Sequence, residues 1–197
     1  MNTKTKKSIN ETTELARNYL ETRYEDSFTP VRFSGETWAY NYATVVFTSA
    51  KFGREVEVLV KEEENGLVLS DTYFRLLFEK DALEYAASAA GDRFAVKVQF
   101  PVYMTSTDIL DAQSFGDYVE NGLRFDAYFL TKEEFYDGDI TKVTTALGEH
   151  GFTGTAEFIL VKDENGEPSI DTCSLADIYG RFLLKRVQIG MKQGRIE

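Results

Sequence analysis

From Arg54 to Lys61 the chain reads REVEVLVK, with Val56, Val58 and Val60 on one side of a two-residue period and Glu55, Glu57 and Lys61 on the other. Such alternation predicts a half-buried antiparallel strand. Phe52-Gly53 before it reads as a turn. Asn65-Gly66 after it reads as a hairpin turn, because both residues tolerate positive φ, and it returns Leu67 to Ser70 as the next strand. Upstream, the alternating stretch from Trp38 to Phe47 predicts another strand, with Pro30 and Gly35 punctuating the approach to it. Two helical patterns flank this meander. Ser8 and Glu11 have capping-box spacing, and Leu15, Ala16, Tyr19, Leu20 and Tyr24 follow at helical intervals, which predicts a helix over about residues 11–25. From Tyr73 onward Phe74, Leu77, Phe78, Ala82, Tyr85, Ala86 and Ala89 share one helical face, with Gly91 placed to end the helix in the left-handed conformation.

Residues 1–92 therefore read as helix, three-stranded meander, helix. Beyond them the elements alternate. Val96, Val98, Phe100 and Val102 predict a strand, and Ser114 caps a short helix carrying Phe115, Tyr118 and Val119 that Asn121-Gly122 closes. A strand follows over Leu123–Leu130. Thr131-Lys132-Glu133-Glu134 has capping-box spacing, Asp139 is placed to cap a helix over Ile140–Leu147, and Thr153–Val161 is the next strand. The tail RFLLKRVQIG, residues 181–190, fits either a final strand or a helix begun at Ser174, and the strand is preferred. The expected fold class is α+β. An N-terminal helix, an antiparallel meander and a second helix (1–92) precede an acidic β-α-β-α-β half with a C-terminal strand (93–197), the two halves packed as one unit.

Charge narrows the function classes. The formal charge is −11, and residues 100–180 hold 16 acidic against 4 basic side chains, whereas 181–197 hold 5 basic and 1 acidic. Such a balance opposes nucleic-acid and anionic membrane surfaces, although the acidic body could meet a basic protein partner. An acidic mimic of DNA fits less well, because the basic ends would spoil the mimicry. No run approaches the roughly 18 apolar residues of a membrane span, so the sequence as written reads as cytoplasmic, or as extracytoplasmic if a signal or anchor has been removed.

Few residues offer chemistry. His150 and Cys173, the sole histidine and cysteine, could form a nucleophile–base pair only if the fold brought them together, and the bland reading is a turn histidine and a structural cysteine. Any metal site would rely on oxygen ligands. Asp137-Gly138-Asp139 and Asp163-Glu164-Asn165-Gly166-Glu167 are the nearest candidates, but the glycine of the second is misplaced for a calcium loop, so no metal or other cofactor is expected. Glu62-Glu63-Glu64 reads as a solvated charge run before a turn. Neither a phosphate-binding glycine loop nor a G-x-S-x-G elbow occurs.

The remaining candidates are aromatic. In a strand, Trp38, Tyr40 and Tyr42 share one face while Ala39, Asn41, Ala43, Val45 and Phe47 share the other. Packing against the chain's own second half is the preferred reading of the row, followed by contact with a partner and then by stacking of a small ligand. LARNYLETRYEDSFTPVRFSGETWAYNYATVVF, followed by a hairpin and DTYF, resembles a loose group of small proteins of Gram-positive bacteria that share a YLxxxYxxxF helix and aromatic-rich strands. Many members carry an N-terminal signal or anchor, and the resemblance implies no catalytic residue. The expectation is a non-catalytic protein-binding molecule, toxin-neutralising or surface-associated, with a carboxylate- or divalent-metal-dependent hydrolase as the alternative.

Overall fold

Ser8 opens the first element: its hydroxyl accepts from the Glu11 N–H at 3.2 Å, while Glu11 Oε2 accepts from the Ser8 N–H at 2.7 Å. That reciprocal cap starts α1, Ile9–Arg23, two residues earlier than the sequence spacing indicated. The computed structural model describes residues 8–36, 41–64, 66–101, 114–162 and 172–197. They form two compact units, the first reaching to Leu76 and the second comprising Leu77–Pro101 and the described residues from 114 onward.

In the first unit α1 lies against an antiparallel sheet of order β1-β2-β3-β4. Its strands are β1 (Phe28–Ser34), β2 (Tyr42–Ser49), β3 (Glu55–Glu63) and β4 (Gly66–Asp71). One face is apolar, with Val45, Phe47, Val56 and Val58 buried at successive inward positions, as the alternation in REVEVLVK requires. The meander has four strands where the sequence indicated three. Pro30, read as punctuation, lies within β1, opposite Phe47. Proline is tolerated there because β1 is an edge strand and the register shifts between Pro30 and Arg32, so no ladder hydrogen bond is owed.

Two carboxylates tie the helix and sheet together. Asp71, buried at the end of β4, accepts from the hydroxyls of Tyr19 at 2.9 Å and Tyr24 at 3.0 Å and from the Tyr73 N–H at 2.8 Å. Asp26 accepts from the Tyr73 hydroxyl at 3.0 Å, from the Ser49 hydroxyl and from the backbone N–H groups of Ser27 and Lys51. Burial raises the Asp71 pKa above the usual carboxylate value, and its donors offset only part of that rise. For Asp26 burial also pushes upward, but the hydrogen bonds from Ser49, Ser27, Lys51 and Tyr73 outweigh it and hold the carboxyl low.

Acid must therefore act on the two in opposite directions. As pH falls through the raised folded value of Asp71 towards its ordinary 3.8, protonation favours the folded form. As pH falls below 3.8 towards the depressed folded value of Asp26, the stability that its donors supply is lost. Asp71→Asn is expected to lose stability more steeply on acidification than the parent, and Asp26→Asn less steeply. Urea midpoints between about pH 6 and pH 3 read the slopes, and equal slopes in all three proteins would contradict the assignment.

The second unit is built on a sheet of order β5-β6-β7-β8-β9, with strands β5 (Ala95–Gln99), β6 (Asp126–Thr131), β7 (Gly154–Val161), β8 (Leu183–Lys192) and β9 (Arg195–Ile196). The pair β6 and β7 is parallel and the other pairs are antiparallel. The helices are α2 (Tyr73–Ala90), which lends its first turn to the first unit, α3 (Phe115–Glu120), and α4 (Asp137–Glu149), the crossover between β6 and β7. Gly91 has φ +61°, ending α2 as expected. The α4 start departs from expectation. Thr131 caps no helix: its hydroxyl accepts from the Glu133 N–H in a turn that ends β6. Asp139 lies inside the first turn, where its carboxylate accepts from the Tyr136 N–H at 2.9 Å. At the tail both alternatives occur in succession. Ser174 caps a short helical segment through Phe182, and the chain then extends as β8.

One face of this sheet carries Ala127, Phe129, Ala156 and Phe158, all fully buried, and the Phe129 and Phe158 rings stack at 5.1 Å. Against that core stand Phe94 and Phe135, both with rings near Phe158. A second aromatic group joins Tyr85, Phe115, Phe125 and Phe152. Burial pushes the Tyr85 phenol up to about 12, and its hydroxyl donates to the Leu147 carbonyl at 3.0 Å.

Candidate functional site

The opposite face of the second sheet changes character along its strands. At one end Leu130, Ile159 and Val161 are covered by Cys173, Ile178 and Phe182, the segment that leads into β8. At the other end the strand register lines up Lys97, Tyr128, Glu157 and Gln188 as a row across four strands. Glu157 is 2% exposed, the one charged residue in the inner strand β7. A buried carboxylate is retained only if its charge is matched.

The match is complete. Arg186 Nε donates to Glu157 Oε1 at 2.7 Å and its Nη2 to Oε2 at 3.2 Å, a bidentate fork. Gln188 Nε2 donates to Oε2 at 2.5 Å, and the Tyr179 hydroxyl donates to Oε1. These four donors meet a carboxylate with about four acceptor sites. Burial, then the hydrogen bond and charge of Glu157, push the Tyr179 phenol upward, so it remains a donor throughout the neutral range. The Arg186 guanidinium also lies 5.2 Å from the centre of the Tyr179 ring.

Around this centre the rim is paired as well. Asp126 Oδ1 accepts from Arg124 Nη2 at 3.2 Å and from the Thr155 N–H at 2.9 Å, and Arg124 Nη2 also reaches Thr155 Oγ1 at 3.2 Å. Tyr128 donates to Gln99 Oε1 at 3.0 Å, and burial followed by the charges of Asp126 and Glu157 raises its pKa. The result is a shallow, polar hollow of about 380 Å3 lined by Arg124, Asp126, Tyr128, Thr155, Glu157, Tyr179, Arg186 and Gln188. Alternating charges on a stiff sheet suit recognition of polar groups. A group that shuttles protons or holds a metal needs a lone pair to spare, and Glu157 would have to give up a donor first.

The residues singled out from sequence fall elsewhere. Tyr42 begins β2 opposite Lys61, half-buried, on the face away from Ala43, Val45 and Phe47, while Trp38 and Tyr40 lie outside the described residues. His150 stands exposed at the end of α4 with its ring 5.8 Å from Tyr85, whereas Cys173 is buried with Leu130, Ile159 and Phe182. The two belong to different clusters. Asp139 is engaged by Arg93 at 3.1 Å, and the stretch Asp163–Glu167 lies outside the described residues. Among the described residues no three His, Cys, Asp or Glu side chains converge as metal ligands would, and no helix is long and apolar enough to cross a membrane.

Glu157 was missed in the sequence, though a signal existed: a lone acid at an inward position of the run TAEFILV. No protein-family model matches the chain, and neither a curated protein nor a solved structure matches it.

Proposed function

We propose that this protein is a non-catalytic binding protein whose second unit presents the Glu157 face to a protein partner. The observation that carries this reading is the saturation of Glu157 by Tyr179, Arg186 and Gln188, which fixes a polar surface in place and leaves its carboxylate no spare acceptor site for chemistry. Arg124 and Arg186 beside Asp126 and Glu157 give that surface both signs of charge, so complementarity selects a polar partner of matching pattern. The −11 formal charge weighs against nucleic acid. A toxin-neutralising role and a surface-associated role both use such a face.

A photo-crosslinking residue at Thr155, on the rim, tests the reading in cells that make the protein. One discrete protein adduct is expected, with its yield reduced about ten-fold by Arg124→Glu and absent when the crosslinker is moved to the exposed Lys80. Absence of any adduct would count against the proposal. So would turnover of an ester, phosphoester or glycoside by the purified parent that Glu157→Gln abolishes, which would restore the hydrolase reading.

A further inference from the structure

Strand β8 runs for ten residues, but β9 pairs with only its last two, Met191 and Lys192. One further bond, from the Glu197 N–H to the Gly190 carbonyl at 3.0 Å, shows that the Gly190 backbone faces the β9 side. Backbone groups in an antiparallel ladder alternate sides every residue, so Gln188 and Arg186 also direct their N–H and C=O to that side, away from β7. Among the described residues no strand occupies the slot beside them. The edge is exposed: Lys185, Arg186 and Gln188 are accessible and Leu184 is 56% exposed. Natural sheets usually shorten, cover or break such an edge, because it is a template for another strand.

The slot also has a wall. On the helix side, Ile140, Thr144 and Thr145 of α4 face Val187 and Ile189 of β8 and Ile196 of β9 across a groove of about 550 Å3. A strand continuing the line of β9 would place every second side chain in that groove. Its other side chains would stand on the opposite face, beside Arg186. The charge of the region selects between occupants. Residues 181–197 carry 5 basic side chains and 1 acidic one, and the Arg186 side chain, on the face away from the groove, is 43% exposed, so an acidic strand suits this edge better than a second copy of the same basic segment.

We infer that the free edge of β8 takes an extended strand of a partner protein in which apolar and acidic residues alternate. Main-chain hydrogen bonds to Arg186 and Gln188 supply the register, apolar side chains fill the α4 groove, and acidic side chains on the other face meet the exposed N–H groups of Arg186. This goes beyond the Glu157 face, since it rests on the backbone edge and not on the polar hollow.

The test uses the full chain and three short synthetic peptides: one alternating glutamate and valine, one with lysine for glutamate, and one N-methylated at alternate residues. The acidic peptide is expected to bind saturably, with the other two at least about ten-fold weaker. It should also slow amide exchange at Arg186 and Gln188 about ten-fold, both of which are expected to exchange rapidly in the chain alone. Three peptides that behave alike, no binding by the acidic peptide, or amides already protected without it would each overturn the proposal. Protection that appears only as the chain self-associates would assign the edge to a second copy and would overturn it equally.

Discussion

Gly154→Ala is expected to abolish the native second unit. Gly154 opens β7 at φ +148°, a conformation that L side chains rarely adopt, and a β-carbon there would lie 1.7 Å from the Phe125 carbonyl oxygen. Backbone rather than a pliable side chain is the obstacle. Phe125 is fully buried among the rings of Tyr85, Phe100 and Phe152, so the carbonyl cannot retreat without opening that cluster. A cost above about 4 kcal/mol is expected, comparable to the whole stability of a marginal domain. Near-ultraviolet circular dichroism and soluble yield report the loss. Gly138→Ala is the control: nothing lies within 4 Å of a β-carbon there, and in the first turn of α4 alanine should be neutral or stabilising by up to about 1 kcal/mol. A Gly154→Ala protein as stable as the parent would mean that β7 does not begin against Phe125.

Val56→Asp should do comparable damage to the first unit. Val56 is 0% exposed and lies opposite Phe47 in β2, so the substitution puts a carboxylate on the apolar face with no donor to meet it. An isolated buried charge of this kind costs well over about 4 kcal/mol unless it takes up a proton or the strand unfolds. Glu55→Gln, on the opposite face and paired to Arg32 at the exposed edge, should stay within about 0.5 kcal/mol. Hydrogen exchange of the β2 and β3 amides distinguishes the outcomes by unit. If those amides stay protected in Val56→Asp, the inward register of β3 is wrong.

Val56, Val58 and Val60 were legible in the sequence because β3 is half-buried, and a strand with one wet face must alternate. Strand β1 hides for the same physical reason: nearly all of FTPVRFS faces outward at an edge, so there is no period to see and Pro30 reads as a breaker. At Thr131 the S/T-x-x-E spacing misled. A threonine hydroxyl that closes a turn after a strand and one that caps a helix use the same local bond, and only the continuation of the backbone separates them. The Glu157 site was the least legible part. Its donors come from residues 22, 29 and 31 positions further along, and which of them reach it is decided by the register between β7 and β8, a long-range choice that no local pattern encodes. Of the aromatic row, Tyr42 has the predicted facing, opposite to Ala43.

The distance between Glu157 and its donors also sets an order of events during synthesis. Strand β7 emerges from the ribosome before Tyr179, Arg186 and Gln188 have been made, so for a time the chain carries a negative charge at an inward position with nothing to neutralise it. At translation rates of about 5–20 residues per second, Gln188 follows Glu157 by roughly 2–6 seconds. During that interval protonation or continued hydration of the carboxylate is more favourable than burial, and the sheet has a reason to stay open. Until β8 has been made, burying β7 against any neighbour carries the cost of that unmatched charge.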